Sequence, residues 1–178
     1  NFSNNTVYDN KGYGMYATNN GAKIIRDNVF YNNWRAYHGY GSHTMLDNQF
    51  IDNGPYGGVF IEGLDYSSGD ISRNEIMYND NTSSNEGWYT AGLWLYKVYG
   101  SLIEDNVIVG NNKNTSSGYW TGTAQAGNYG SSLSALNIMG DNNTILNNEI
   151  TDNNTEVYSD NYWTYDHNYG DFGRSVDR

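Results

Sequence analysis

Apolar residues recur along this chain inside a six-residue phrase, Asn-x-(Phe/Ile)-x-x-Asn, at 28–33, 48–53, 74–79, 106–111 and 148–153, with its second half at 2–5. Anchoring on the apolar residue gives a column of Phe2, Phe30, Phe50, Ile76, Ile108 and Ile150. Three residues later stands a second column, Asn5, Asn33, Asn53, Asn79, Asn111 and Asn153. Asn28, Asn48, Asn74, Asn106 and Asn148 lie two residues before the anchor, and Ile25, Met45, Ile71, Ile103 and Ile145 five before it. The anchors are 28, 20, 26, 32 and 42 residues apart. That is too irregular for a helical repeat, and natural for a coil of short strands whose turns accept insertions.

Upstream of each phrase lies a segment alternating with period two, at Gly14–Thr18, Ala36–Tyr40, Gly58–Glu62, Gly92–Tyr96 and Ala135–Met139. Period two means strand. With Met15, Tyr37, Val59, Leu93 and Leu136 inward, and Ala17, Gly39, Ile61, Leu95 and Ile138 inward two places on, each coil has a first strand, a second around the Ile column and a third around the Phe/Ile column. Stacked coils make parallel sheets, and each coil buries its inward residues only against its neighbours. An unpaired inward asparagine costs about 1–3 kcal/mol. Stacked identically, each amide donates to the next, so these asparagines read as two structural ladders. The reading is all-β, about five coils over 1–153, with 154–178 as an irregular C-terminal cap that keeps aromatics but loses the asparagine pattern.

Composition agrees. Asparagine fills 29 of 178 positions, yet 28 aromatic residues supply enough apolar area to argue against disorder. The net charge of −11 leaves no basic patch for nucleic acid or an anionic membrane, and no apolar run reaches bilayer-spanning length. Without cysteine there is no disulfide framework and no thiolate-ligated metal.

The run Gly92-Leu-Trp-Leu-Tyr-Lys-Val-Tyr-Gly-Ser-Leu-Ile-Glu-Asp-Asn-Val-Ile-Val-Gly-Asn-Asn112 resembles the right-handed parallel β-helix repeat of carbohydrate-binding proteins and sugar hydrolases. In its asparagine- and tyrosine-rich style the chain is also similar to archaeal cell-surface repeat proteins. These include the disaggregatase-related group, whose named member degrades a cell-wall polysaccharide. The resemblance implies an extracellular or cell-surface module that binds a polysaccharide, with cleavage as an open question.

The first strand offers three outward columns on this reading: Gly14, Ala36, Gly58, Gly92, Ala135; then Tyr16, His38, Phe60, Trp94, Asn137; then Thr18, Tyr40, Glu62, Tyr96, Met139. They predict a bare strip of backbone beside a ring-lined ridge about 20 Å long at the ~4.8 Å inter-strand spacing. The two longest insertions, 80–92 and 112–135, rise beside it and carry Trp88, Tyr89, Tyr119, Trp120 and Tyr129. The expected polymer contacts are Tyr16, Tyr40, Phe60, Trp94, Tyr96, Trp88 and Trp120. His38 and Glu62 are the candidate acid–base pair, either for elimination or, with a second carboxylate, for hydrolysis. Arg35, Lys97, Asp65 and His43 stand at the margins.

No cofactor is expected. Asp27 and Asp47, stacked three residues before the anchor, could recruit Ca2+, but Arg73 next in that column predicts an ion-pair ladder instead. Sequons occur at Asn1, Asn4, Asn81, Asn114, Asn142 and Asn153; Asn81 and Asn114 are the exposed candidates, whereas Asn153 belongs to a ladder. The start at Phe2–Asn5 reads as an incomplete coil whose open face meets a neighbouring repeat or subunit. A structural protein that assembles by end-to-end stacking is therefore the rival reading.

Overall fold

The computed structural model describes residues 1–80, 92–111, 134–153, 155–160 and 169–170. Among them the chain forms only strands and turns, arranged in three parallel sheets. Sheet C holds the first strands of each coil: Tyr13–Ala17, Arg35–Tyr40, Val59–Ser67, Leu93–Tyr99, Ser134–Asp141 and Thr155–Asp160. Sheet A holds the second strands: Phe2–Ser3, Lys23–Arg26, His43–Leu46, Gly69–Ser72, Leu102–Glu104, Thr144–Leu146 and Tyr169–Gly170. Sheet B holds the third: Thr6–Tyr8, Val29–Tyr31, Gln49–Ile51, Glu75–Met77, Val107–Val109 and Glu149–Thr151.

The inward residues stack in register. Ile25, Met45, Ile71, Ile103 and Ile145 form one column, and Phe30, Phe50, Ile76, Ile108 and Ile150 another. Tyr37, Val59, Leu93 and Leu136 form a third, and all of these are buried in one continuous core. Phe30 and Phe50 stack at 5.1 Å with an interplanar angle of 16°.

The corners explain the asparagine phrase. Between sheets A and B the chain passes through a residue with positive φ at Asn4, Asp27, Asp47, Arg73, Asp105 and Asn147 (52–58°), and the next residue is the ladder asparagine. The exit from sheet B repeats the device at Asp9, Asn32, Asp52, Tyr78, Gly110 and Asp152. Asn and Asp tolerate this left-handed conformation better than other non-glycine residues, which accounts for most of these choices. Most ladder amides then close their own corner, and along each ladder one amide bonds to the next. Asn48 Nδ2 donates to Leu46 O at 3.0 Å, to Ile25 O at 2.9 Å and to Asn74 Oδ1 at 2.9 Å, while Asn48 Oδ1 accepts from Asn28 Nδ2 at 3.0 Å.

Three expectations change. Phe2 pairs with Ile25, not Phe30, so Phe2–Ser3 is a second strand, and Val7 is the residue aligned with Phe30. The ladders accordingly run Asn5-28-48-74-106-148 and Asn10-33-53-79-111-153. The confusion has a physical origin: both corners need an apolar residue three places before the asparagine, so Phe2-x-x-Asn5 fits either. Second, the expected irregular cap contains Thr155–Asp160 and Tyr169–Gly170, which extend sheets C and A past Asn153. Third, the Gly/Ala column is not an outward strip. Ala36 and Ala135 are buried, and a Cβ on Gly92 would lie 2.9 Å from Asn111 Cγ. These residues are small because the second ladder occupies the space beside them.

Candidate functional site

The outer face of sheet C is built from strands in lateral register, Tyr16↔His38↔Phe60↔Trp94↔Asn137 and Tyr40↔Glu62↔Tyr96↔Met139, matching the columns expected from sequence. The two columns differ in access. In the first, Tyr16 is open at 49% exposure, whereas His38, Phe60 and Trp94 are 6%, 1% and 2% exposed. The expected ring-lined ridge is therefore closed along most of its length, and Phe60 and Trp94 offer no free ring face. Packing within the column is one reason: His38 meets Phe60 edge-on at 4.6 Å, and Phe60 meets Trp94 at 5.5 Å. Arg35, itself buried, lays its guanidinium 5.9 Å from the Phe60 centroid and 5.7 Å from that of Tyr13, and donates to Tyr56 O through Nε at 3.0 Å and Nη2 at 2.8 Å.

What remains open is a patch of tyrosines with a charged flank. Tyr13 and Tyr16 stack at 5.1 Å, and Tyr16 meets Tyr40 edge-on at 6.1 Å with the hydroxyls 3.5 Å apart. Tyr40 leads across the strands to half-buried Glu62 and Tyr96. At Lys97 the sheet register shifts and φ is 56°, a bulge that places the ammonium 5.1 Å from the Tyr96 ring centroid.

His38 and Glu62 lie in adjacent strands, offset by two positions. The imidazole is enclosed by the rings of Tyr13, Tyr16, Tyr40 and Phe60, with centroids at 4.6–5.5 Å. Burial, helped by the Arg35 charge, pushes its pKa down from 6.5 to about 4. It is a neutral, packed ring at pH 7. Burial raises the Glu62 carboxyl above its usual range against the pull of Lys97.

His43 is not at the margin of this face. It points into the coil, 2% exposed, where its Nε2 accepts from the Tyr37 hydroxyl at 2.7 Å and its Nδ1–H donates to Gly41 O at 2.8 Å. Gly39 makes the room: a Cβ there would overlap the Tyr37 hydroxyl and lie 2.5 Å from His43 Nε2. Burial lowers the His43 pKa to about 4, opposed by the Gly41 carbonyl and reinforced by Lys23, and raises that of Tyr37. Lys23, beside His43 in sheet A, is also buried, its pKa lowered by burial, and its ammonium donates to the carbonyls of Asn19, Gly21 and Tyr40. This polar corner continues through Gly69 to Ser101 and Asn143. It was missed in the sequence, although alternation carried two places back from the Ile column selects Lys23, His43, Gly69, Ser101 and Asn143. An exposed pair on sheet B was also missed: Tyr8 and Tyr31, register partners one place after the Val7/Phe30 pair, stack outward at 5.0 Å.

Trp88 and Trp120, with Tyr89, Tyr119, Tyr129, Asn81 and Asn114, lie outside the described residues, as does the side chain of Asp65. The acidic column resolves as the expected ion pair, Arg73 Nε and Nη2 donating to Asp47 at 2.7 and 2.9 Å, which holds the Asp47 carboxyl below its usual range. Among the described residues no group of three or more His, Asp or Glu side chains could hold a metal. Among them, too, no helix is long and apolar enough to cross a membrane. Asn153 donates inward to Ile108 O and Thr151 O.

The family model described as "Right handed beta helix region" matches residues 1–169. Comparison with curated proteins and with solved structures finds no match.

Proposed function

The chain belongs to the right-handed β-helix family, and on that scaffold we propose that it binds a neutral cell-surface polysaccharide, outside the cell, along the open part of sheet C's outer face. The observation that carries the reading is the run of rings formed by exposed Tyr13 and Tyr16 and half-buried Tyr40, continued across adjacent strands by Glu62, Tyr96 and Lys97. Tyrosine rings give an extended polymer flat apolar area and a hydroxyl at the rim. One carboxylate and one ammonium supply polar contacts. The net charge of −11 disfavours a polyanionic glycan. Retention fits better than cleavage, because the His38 imidazole is enclosed by four rings and stays neutral near pH 7.

The test is affinity electrophoresis through gels containing candidate polysaccharides. The Tyr16→Ala/Tyr40→Ala double variant is expected to bind at least tenfold more weakly, about 1.4 kcal/mol; because both rings also pack on His38, circular dichroism on the same sample checks that the variant is folded. Undiminished retention by the double variant overturns the reading. Trp94→Ala is the wrong probe: it removes a buried ring and costs about 3–5 kcal/mol of stability, so lost binding would report unfolding.

A further inference from the structure

Glycine follows asparagine at two places in this sequence, Asn20–Gly21 and Asn53–Gly54. The structure treats the two pairs in opposite ways. Asn53 is a ladder residue, 1% exposed. Its Nδ2 donates to Phe30 O, Ile51 O and Asn79 Oδ1, its Oδ1 accepts from the Asn33 backbone and side chain, and the Gly54 N–H is held by Asn33 O at 2.8 Å. A side chain so fixed cannot turn its Cγ toward the next backbone nitrogen. Asn20 and Gly21 are both exposed, in the corner joining Tyr13–Ala17 to Lys23–Arg26, and a Cβ on Gly21 would meet nothing within 4 Å.

We propose that Asn20 is a site of spontaneous, structure-selected deamidation, and that the modification loosens the corner supporting Tyr40. The Gly21 nitrogen attacks Asn20 Cγ, a C–N bond forms and ammonia leaves, carrying the former side-chain nitrogen and giving a cyclic succinimide. Water then opens either carbonyl of the ring, yielding aspartate or isoaspartate. No oxidant or cofactor is needed. Isoaspartate routes the main chain through the side chain and lengthens it by one carbon between Asn19 and Gly21.

Those two residues hold Lys23. Its ammonium, nearly enclosed, takes Asn19 O at 2.5 Å, Gly21 O at 2.8 Å and Tyr40 O. A longer chain between the first two shifts one carbonyl relative to the other, and a buried ammonium short of an acceptor is costly. The Asn20 carbonyl also packs against Gly41, where φ is +86°, the residue after Tyr40. The change is thus transmitted to Tyr40, a half-buried ring on the outer face of sheet C.

The test is to incubate the folded chain in mildly alkaline buffer for days, then digest it and weigh the peptide spanning 12–23 and the one containing Asn53. The amide-to-acid mass gain should appear in the first and be at least tenfold slower in the second, while incubation in urea should bring the two rates together. Gly21→Ala, for which the structure leaves open space, should slow conversion at Asn20 at least tenfold without lowering the melting temperature of fresh protein. Aged parent protein should melt lower than fresh, and aged Gly21→Ala should not. Equal rates at Asn20 and Asn53 in the folded chain, or no conversion at Asn20, would overturn the site. An unchanged melting temperature after full conversion would overturn the loosening.

Discussion

Asn74→Ala is expected to leave the chain unfolded at room temperature, or to remove more than half of its stability. Asn74 sits at the middle of the first ladder, fully buried. Its Nδ2 donates to Met45 O at 2.9 Å, Ser72 O at 3.1 Å and Asn106 Oδ1 at 3.0 Å, and its Oδ1 accepts from Asn48 N at 3.0 Å and Asn48 Nδ2 at 2.9 Å. Alanine orphans donors on the coil below and acceptors within the corner, and no water reaches them without opening the core. Each orphaned buried group costs about 1–3 kcal/mol. Three or four of them approach the roughly 5–15 kcal/mol that a whole domain has to spare. Asn74→Asp is expected to be as severe, since a carboxylate can accept from Asn48 but cannot donate to Met45 O, and it buries a charge. Gln49→Thr, half-buried on the outward side of sheet B, serves as the mild control. Urea unfolding followed by circular dichroism checks the series; a loss under about 1 kcal/mol for Asn74→Ala would mean that the ladder is dispensable.

The ladders were legible in the sequence because their physics is local and repeated. A corner needs a left-handed residue followed by an amide that can bond its own strand and the next coil, so Asp47-Asn48 and Asp105-Asn106 announce themselves. The lateral register of sheet C was legible for the same reason, with Leu93 opposite Val59 and Leu136 as expected. The first coil was misplaced because its two corners obey one rule, and Phe2-x-x-Asn5 cannot say which it belongs to. Exposure of the candidate site was the least legible feature. Alternation tells which side of a sheet Phe60 and Trp94 take, and both do point outward. Whether an outward ring stays wet depends on what packs over it, such as Arg35 reaching across to Tyr56 O, and that is a property of residues distant in sequence. His43 was misread because its partner, Tyr37, and the gap that admits it, Gly39, lie on another strand.

That buried imidazole, together with His38, makes the protein sensitive to acid. Both rings have pKa values near 4 in the folded chain against 6.5 for the free side chain, and burial is the leading cause for each. The folded state therefore holds them neutral, and between pH 6.5 and 4 the unfolded state binds more protons. Stability from this source is fully present above pH 6.5 and is lost progressively as pH falls, reaching its floor near pH 4. A depression of this size corresponds to about 3 kcal/mol for each ring, so the two together remove roughly 6 kcal/mol. That matches the lower end of a domain's total stability. His43 is the more sharply constrained: with Nδ1–H given to Gly41 O and Nε2 accepting from Tyr37, a second ring proton would displace the Tyr37 hydroxyl hydrogen into a core where it has no other role. Glu62, whose pKa is raised, acts with the opposite sign and softens the loss slightly. The expected result is a urea midpoint that falls steeply between pH 6.5 and 4, with proton uptake of nearly two per molecule on unfolding near pH 5.5. Ring resonances of His38 and His43 should still be neutral at pH 5.5 in the folded chain. A flat urea midpoint across that window, or either ring titrating near 6.5 while the protein is folded, would refute the assignment of buried neutral histidines.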